Sequence, residues 1–357
     1  MEIVPMLDAG CQAVLGMWYL LAVEGDGPSA RVGHANVLCH CPVSDSCEKG
    51  DGASADTVIS NLLIVGGATP SGPFNDVYNL ELSPAKYKWS KMHSDGLTPR
   101  YEHGITRNKN GDIFVFGGAQ QDGNLNTVQV LRKGAEKWED INPTGCLPAP
   151  RTCLNTATIS NKLYVFGGGF QGAVPVSDTQ VHVFDPDVCT WTQLKCTGQT
   201  PSPRHGHVMV AFGKKIYVHG GMAERDIHGD LYTLDTETNN WEEIKQSGDI
   251  PSSRAAHSGV AVDNFIYIFG GMNFTGALSD LYRFDIDFLV WNKVEIEGCP
   301  PPPRLDHTFS CITHFVKIEN EEGKDSPLYR KQKLLVSFGG MDTTGQIFDD
   351  VFAIAVA

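Results

Sequence analysis

Positive charge is what this 357-residue chain is short of: 28 Lys and Arg stand against 42 Asp and Glu, a net charge of −14. A polyanionic nucleic acid or an anionic membrane surface is therefore not an expected partner. No basic residue precedes Arg31, so the apolar stretch 11–23 lacks the charged leader of a secretory signal and reads as a strand. No apolar run reaches the roughly 18 residues a membrane-spanning helix needs. The Gly-x-Ser-x-Gly elbow, the phosphate loop and the His-Glu-x-x-His helix are all missing. No catalytic residue, metal or cofactor is assigned on that basis. The ten cysteines are scattered and not framed as a small disulfide scaffold, so reduced thiols are expected. Cys39-His40-Cys41 with Cys47 fits no standard zinc spacing and reads as loop thiols.

What the chain does have is glycine (38 residues) and a repeat. Six tryptophans fall at Trp18, Trp89, Trp138, Trp191, Trp241 and Trp291, in steps of 71, 49, 53, 50 and 50 residues. Six apolar runs end in a double glycine, at Gly66-Gly67, Gly117-Gly118, Gly167-Gly168, Gly220-Gly221, Gly270-Gly271 and Gly339-Gly340. Each unit opens on Pro and then Arg, usually with His three residues after the Arg, as in Arg204-His205-Gly206-His207. A β-rich run into the double glycine follows, then a loop, an Asp with a third run (Asp230-Leu231-Tyr232), a short turn and the Trp. This predicts four short strands per unit and a β-propeller of six blades. The double glycine suits a backbone that turns sharply or approaches another chain closely.

The last unit has no fourth strand and no Trp, whereas Trp18-Tyr19-Leu20-Leu21 precedes the first Arg. The N-terminal strand is therefore expected to complete the sixth blade, because an open ring leaves strand edges unpaired. The expected organisation is a short extension, 1–17, and one propeller, 18–357. The step from the leading Arg to the double glycine is 16 or 17 residues in the middle four units but 35 in the first and last. The two insertions, about 39–56 and 317–333, are expected to be flexible loops emerging side by side on one face, since those units are neighbours across the closure.

The opposite face should carry the six arginines at the entry of the innermost strands, Arg31, Arg100, Arg151, Arg204, Arg254 and Arg304, with the loops after each double glycine. One reading is a positive ring offered to an acidic partner; the other is that each Arg pairs within its blade, with Asp76, Asp178, Asp230, Asp280 or Asp350. On the first reading these six arginines are candidate partner-binding residues. The loop 170–176 is apolar for a loop, and Phe170, Val174 and Val176, with Phe274 at the equivalent place in the fifth unit, are further candidates. The repeated histidines are spread round the ring and cannot all ligate one ion. Two units depart from the pattern: Leu154 stands where the others have His, and Thr127 and Gln129 replace the Asp and the Tyr in the second.

Taken together, Pro99-Arg100-Tyr101-Glu102-His103, Leu163-Tyr164-Val165-Phe166-Gly167-Gly168-Gly169, Pro201-Ser202-Pro203-Arg204-His205-Gly206-His207 and Phe338-Gly339-Gly340-Met341 resemble the kelch-repeat family. More narrowly they are similar to the small kelch propellers that act as Rab effectors. The resemblance implies a non-enzymatic propeller that binds a GTP-bound late-endosomal Rab GTPase. It also implies a role in returning mannose-6-phosphate receptors from late endosomes to the trans-Golgi network, and a cytoplasmic location at the surface of those membranes. The alternatives left open are a kelch scaffold or adaptor with another partner, and a metal-dependent enzyme using the central channel.

Overall fold

The computed structural model describes residues 4–42, 58–318 and 328–356. Among them there is no helix, and the strands form six radial sheets, the blades of a propeller. Blade two has four strands, Gly104–Arg107, Ile113–Phe116, Val128–Leu131 and Trp138–Ile141, running outward from the central channel. In the sixth blade Thr308–Ile318, Leu328–Phe338 and Val351–Val356 are followed by Trp18–Leu21, with Trp18 opposite Ile354 and Leu20 opposite Phe352. The N-terminal strand thus closes the ring, as the unequal ends of the repeat require.

Neighbouring blades are fastened by a rule that explains the repeat residue by residue. The Trp of each blade lies against the residue that precedes the double glycine of the blade before it, an aromatic ring in five blades and Val65 beside Trp138 in the second. Ring centroids stand 4.5 Å apart for Trp191 and Phe116, 5.3 Å for Trp241 and Phe166, and 4.9 Å for Trp18 and Phe269. These plates bury large apolar area between wedge-shaped sheets. The second glycine of each pair donates its N–H to the carbonyl of the next blade's Arg, from Gly67 to Arg100 at 2.9 Å round to Gly340 and Arg31 at 2.9 Å. No side chain fits at the first glycine: a Cβ on Gly167 (φ +61°) would collide with the Arg204 carbonyl and stand 3.1 Å from the His207 ring. Gly167→Ala is expected to cost about 2 kcal/mol or more in a denaturation experiment, strain and clash adding together. A cost near that of an exposed loop glycine would show that the blades slide apart to admit the methyl.

Two devices were not legible in the sequence. A two-residue strand from each of four inter-blade links adds in parallel to the outer strand of the blade it enters, as Ser247–Gly248 does beside Val290 and Trp291. The segment 4–17 is also held against the sixth blade. Met6–Leu7 pairs in parallel with Leu20 and Leu21, Leu7 and Ala13 are buried, and the Ala13 N–H and carbonyl both bond to the Gln332 amide, at 3.2 and 2.8 Å. This strap crosses the long hairpin of the sixth blade.

The insertions correct the loop expectation in part. Residues 39–42, 317–318 and 328–333 are strand, in hairpins of eight and eleven residues per arm where the middle blades have four or five. The rest of both insertions lies outside the described residues, as does Cys47, and the side chains of His40 and Cys41 fall with them.

Candidate docking face and channel mouth

The six arginines are not a ring offered to a partner. All are buried, at 0–1% exposure, and each is consumed within its own blade. Arg254 shows the pattern: Nη1 donates to the Gly270 carbonyl at 3.1 Å, Nη1 and Nη2 grip Asp280 at 2.6 and 3.1 Å, and Nε reaches the Ser252 carbonyl at 3.1 Å. Arg31, Arg151, Arg204 and Arg304 pair likewise with Asp76, Asp178, Asp230 and Asp350. A guanidinium suits this task because its fork meets a carboxylate and a backbone carbonyl at once. In blade two, Arg100 meets the uncharged Thr127 and Gln129, at 3.3 and 2.8 Å, and Gln129 in turn donates to Asp140 at 2.8 Å. Burial with no direct anion holds Arg100 down to about 10, partly countered by Asp140.

The loop candidates divide. Val176 is 6% exposed and belongs to the core. Its N–H donates to the Gly168 carbonyl at 2.9 Å, which turns the chain inward. Phe170, Val174 and Phe274 are 61%, 44% and 80% exposed. They lie on the face of the inter-blade links, because the residue after each Arg bridges to the residue after the double glycine, Thr152 to Gly169 and Ala255 to Met272 among them.

These exposed side chains stand on held loops. The Asn124 amide of blade two donates to the Gly169 and Phe170 carbonyls at 3.1 and 2.9 Å. From blade four, the Glu224 N–H at 2.8 Å and His205 Nε2 at 3.2 Å both reach the Ala173 carbonyl. Phe274 tips a tight turn in which the Thr275 N–H and hydroxyl both donate to Asn273 Oδ1, at 2.8 and 2.6 Å. A partner meeting these rings therefore has little loop entropy to overcome. Sequence reasoning missed Val188 and Phe288, exposed on third-to-fourth strand turns of the other face; they are single hairpin tips and need no functional account.

The third feature of this face is the channel mouth, which sequence reasoning also missed. The second residue after each Arg has positive φ in all six blades: Gly33, Glu102, Cys153, Gly206, Ala256 and Asp306. Backbone bonds join them across blade seams, from Gly33 N–H to the Asp306 carbonyl at 3.1 Å and from Asp306 N–H to the Ala256 carbonyl at 3.0 Å. They line one end of a channel cavity of about 230 Å³. Glycine at two of the six positions was the available signal, but a side chain at positive φ cannot be told from sequence.

Glu102 Oε2 accepts from the Thr152 hydroxyl at 2.7 Å, the Cys153 N–H at 3.1 Å and the Cys153 thiol at 3.0 Å. Burial, then the Glu102 charge, pushes the Cys153 thiol up, opposite in direction to the lowered value of an activated thiolate. Burial and Glu102 likewise push the Asp306 carboxyl far above the usual carboxylate range. Deeper in the channel, burial and the adjacent Arg hold His34 and His207 down to about 3 and His307 well below its ordinary value. These rings are neutral packing units between blades, such as His307 edge-on to Phe269 at 5.2 Å. Among the described residues no group of three or more His, Cys, Asp or Glu side chains could hold a metal ion.

A closed ring of such blades, locked by double glycines and buried Arg–Asp pairs and carrying its variation in loops on a held face, defines a kelch-type propeller. The chain belongs to the kelch-repeat family. The KLHDC2/KLHL20/DRC7 Kelch-repeats domain matches residues 52–179 and 154–318. Among curated relatives it is 41% identical over 237 residues to the Rab9 effector protein with kelch motifs of Xenopus laevis, covering 66% of this chain and 61% of that protein. It is 43% identical over 234 residues to the protein of the same name from Homo sapiens, covering 65% and 59%. The chain thus spans under two thirds of the length of these relatives. A 136-residue stretch is 35% identical to the Rho GTPase-activating protein gacHH of Dictyostelium discoideum, covering 37% of this chain and 9% of that protein.

Proposed function

We propose that this propeller is a non-enzymatic docking module that binds the GTP-bound form of a late-endosomal Rab GTPase, in transport from endosomes to the trans-Golgi network. The observation that carries the reading is the pair of exposed rings, Phe170 and Phe274, on held loops of one face. The printed name of the relatives, an effector of Rab9 with kelch motifs, supports the class of partner. Selectivity for GTP follows where the loops touch switch segments that the γ-phosphate orders. Attachment to late-endosomal and trans-Golgi membranes is then indirect, through the lipid anchor of the GTPase, and the propeller itself stays cytoplasmic.

Calorimetry of the purified chain with the GTPase, loaded with a non-hydrolysable GTP analogue or with GDP, tests this. Binding to the GTP form alone is expected. Phe170→Ser with Phe274→Ser is expected to weaken it by about 2 kcal/mol or more, roughly thirtyfold, while the melting temperature stays unchanged. Equal binding to both nucleotide forms sinks the effector reading. Unchanged binding by the double variant sinks the choice of loops.

A further inference from the structure

We propose that the channel mouth receives a cationic side chain, the guanidinium or ammonium of an Arg or Lys presented by a docked protein, between Glu102 and Asp306. The inference goes beyond the reading above and does not need the partner to be a GTPase. Glu102 and Asp306 flank Gly33 in the ring of positive-φ residues, and Gly33 puts no side chain between them.

Among the described residues the mouth has acceptors and no cation. The six arginines next to it point into their own blades and are used there. Among the described residues no donor reaches the second oxygen of Glu102, Oε1, and no side chain bonds to the Asp306 carboxyl. His103 and His307, buried at 3% and 4% exposure, line the same cavity with both ring nitrogens unpartnered. Each imidazole is neutral and so keeps one acceptor nitrogen.

Paired carboxyls in a confined site, with no counter-charge and at backbone angles that disfavour a side chain, work against folding. Such a site gains most from a cationic donor. A metal ion is the poorer fit, because no ligand group of the required spacing is present among the described residues. An organic cation can enter from the docking face, since the mouth opens on the face that carries Phe170 and Phe274. The acidity of the chain as a whole favours the approach of a basic segment.

The test uses the ¹⁵N-labelled full chain and the peptide acetyl-Gly-Arg-Gly-amide, with the neutral isostere acetyl-Gly-citrulline-Gly-amide beside it. The arginine peptide is expected to give saturable amide shifts at Gly33, Glu102 and Asp306, with a dissociation constant on the order of 1 mM. The citrulline peptide should move none of them. Asp306→Asn, which keeps the backbone bonds and tolerates positive φ, should weaken binding about tenfold. Absent shifts at about 10 mM arginine peptide overturn the proposal. So do equal shifts with citrulline, or an unaltered affinity in D306N. Should D306N fail to fold, the arginine-to-citrulline comparison decides alone.

Discussion

Arg204→Ala is expected to lower the unfolding free energy by about 3–5 kcal/mol at neutral pH, the usual result of removing one partner from a buried ion pair. Arg204 is 1% exposed and donates to Gly220, Ser202 and both oxygens of Asp230. Its loss strands the Gly220 carbonyl and leaves Asp230, a quarter exposed, without its cation. The effect has a defined pH dependence. Burial pushes the Asp230 carboxyl up, but the Arg204 bonds outweigh it and hold the group below its ordinary 3.8. A depressed folded value means that the pair stabilises the protein above the unfolded value. That stability is lost as pH falls through the folded value. The gap between wild type and Arg204→Ala should therefore be full at pH 7 and shrink in acid. The Arg204→Ala, Asp230→Ala double variant should cost less than the two single losses summed, as coupled sites do. Denaturant unfolding of the four proteins measures all of this. A loss under about 1 kcal/mol, together with weakened partner binding, would return the arginine ring to recognition and not to architecture.

Asp306→Asn is expected to stabilise the protein. The wild-type carboxyl has no hydrogen-bond donor among the described side chains, and burial and Glu102 raise its folded value. A raised carboxyl value carries the opposite sign to Asp230. The folded state retains a proton that the unfolded chain gives up, so wild-type stability falls as pH climbs above the unfolded value of 3.8. The fall stops only once the folded carboxyl itself ionises. The variant escapes this, and its advantage should be near zero below pH 4 and grow to about 2 kcal/mol by pH 8. Melting curves at a series of pH values read it directly. A variant less stable than wild type at pH 8 would mean that Asp306 has a donor in solution and that the mouth is not short of counter-charge. Proteins keep groups that cost stability where function uses them, which is why the site is assigned a ligand.

The architecture could be read from particular residues because each repeat element does one local job that tolerates little substitution. Only glycine fits where Gly167 meets the Arg204 carbonyl, so the double glycine recurs and marks the second strand. Only a large plate fills the gap that Trp191 fills beside Phe116, so the tryptophans count the blades. The missing fourth strand of the last unit and the surplus strand at Trp18 require ring closure, because an unpaired sheet edge is costly. The Asp–Arg pairing was legible as one of two readings. It needed burial to decide it, since the same six arginines spaced round a ring suit a partner's carboxylates as well as their own.

Sites were less legible than the fold, for a physical reason. Strand periodicity and close packing act between residues near in sequence or repeated at fixed steps, and these leave a pattern in the chain. Whether a loop side chain points in or out depends on what neighbouring blades do to it. Val176 and Val174 are two residues apart, yet one is core and one is exposed. The choice rests on the bond from the Val176 N–H to the Gly168 carbonyl. The clamp on the 170–176 loop comes from Asn124, Glu224 and His205 of two other blades. The channel mouth is the extreme case. Glu102 and Asp306 lie 204 residues apart, and only closure of the ring, which seats blade six beside blade one, brings them to either side of Gly33. Sequence alone thus establishes the six blades, their order and the closure. The tertiary structure alone decides which side chains are spent holding blades together and which are left to meet a partner.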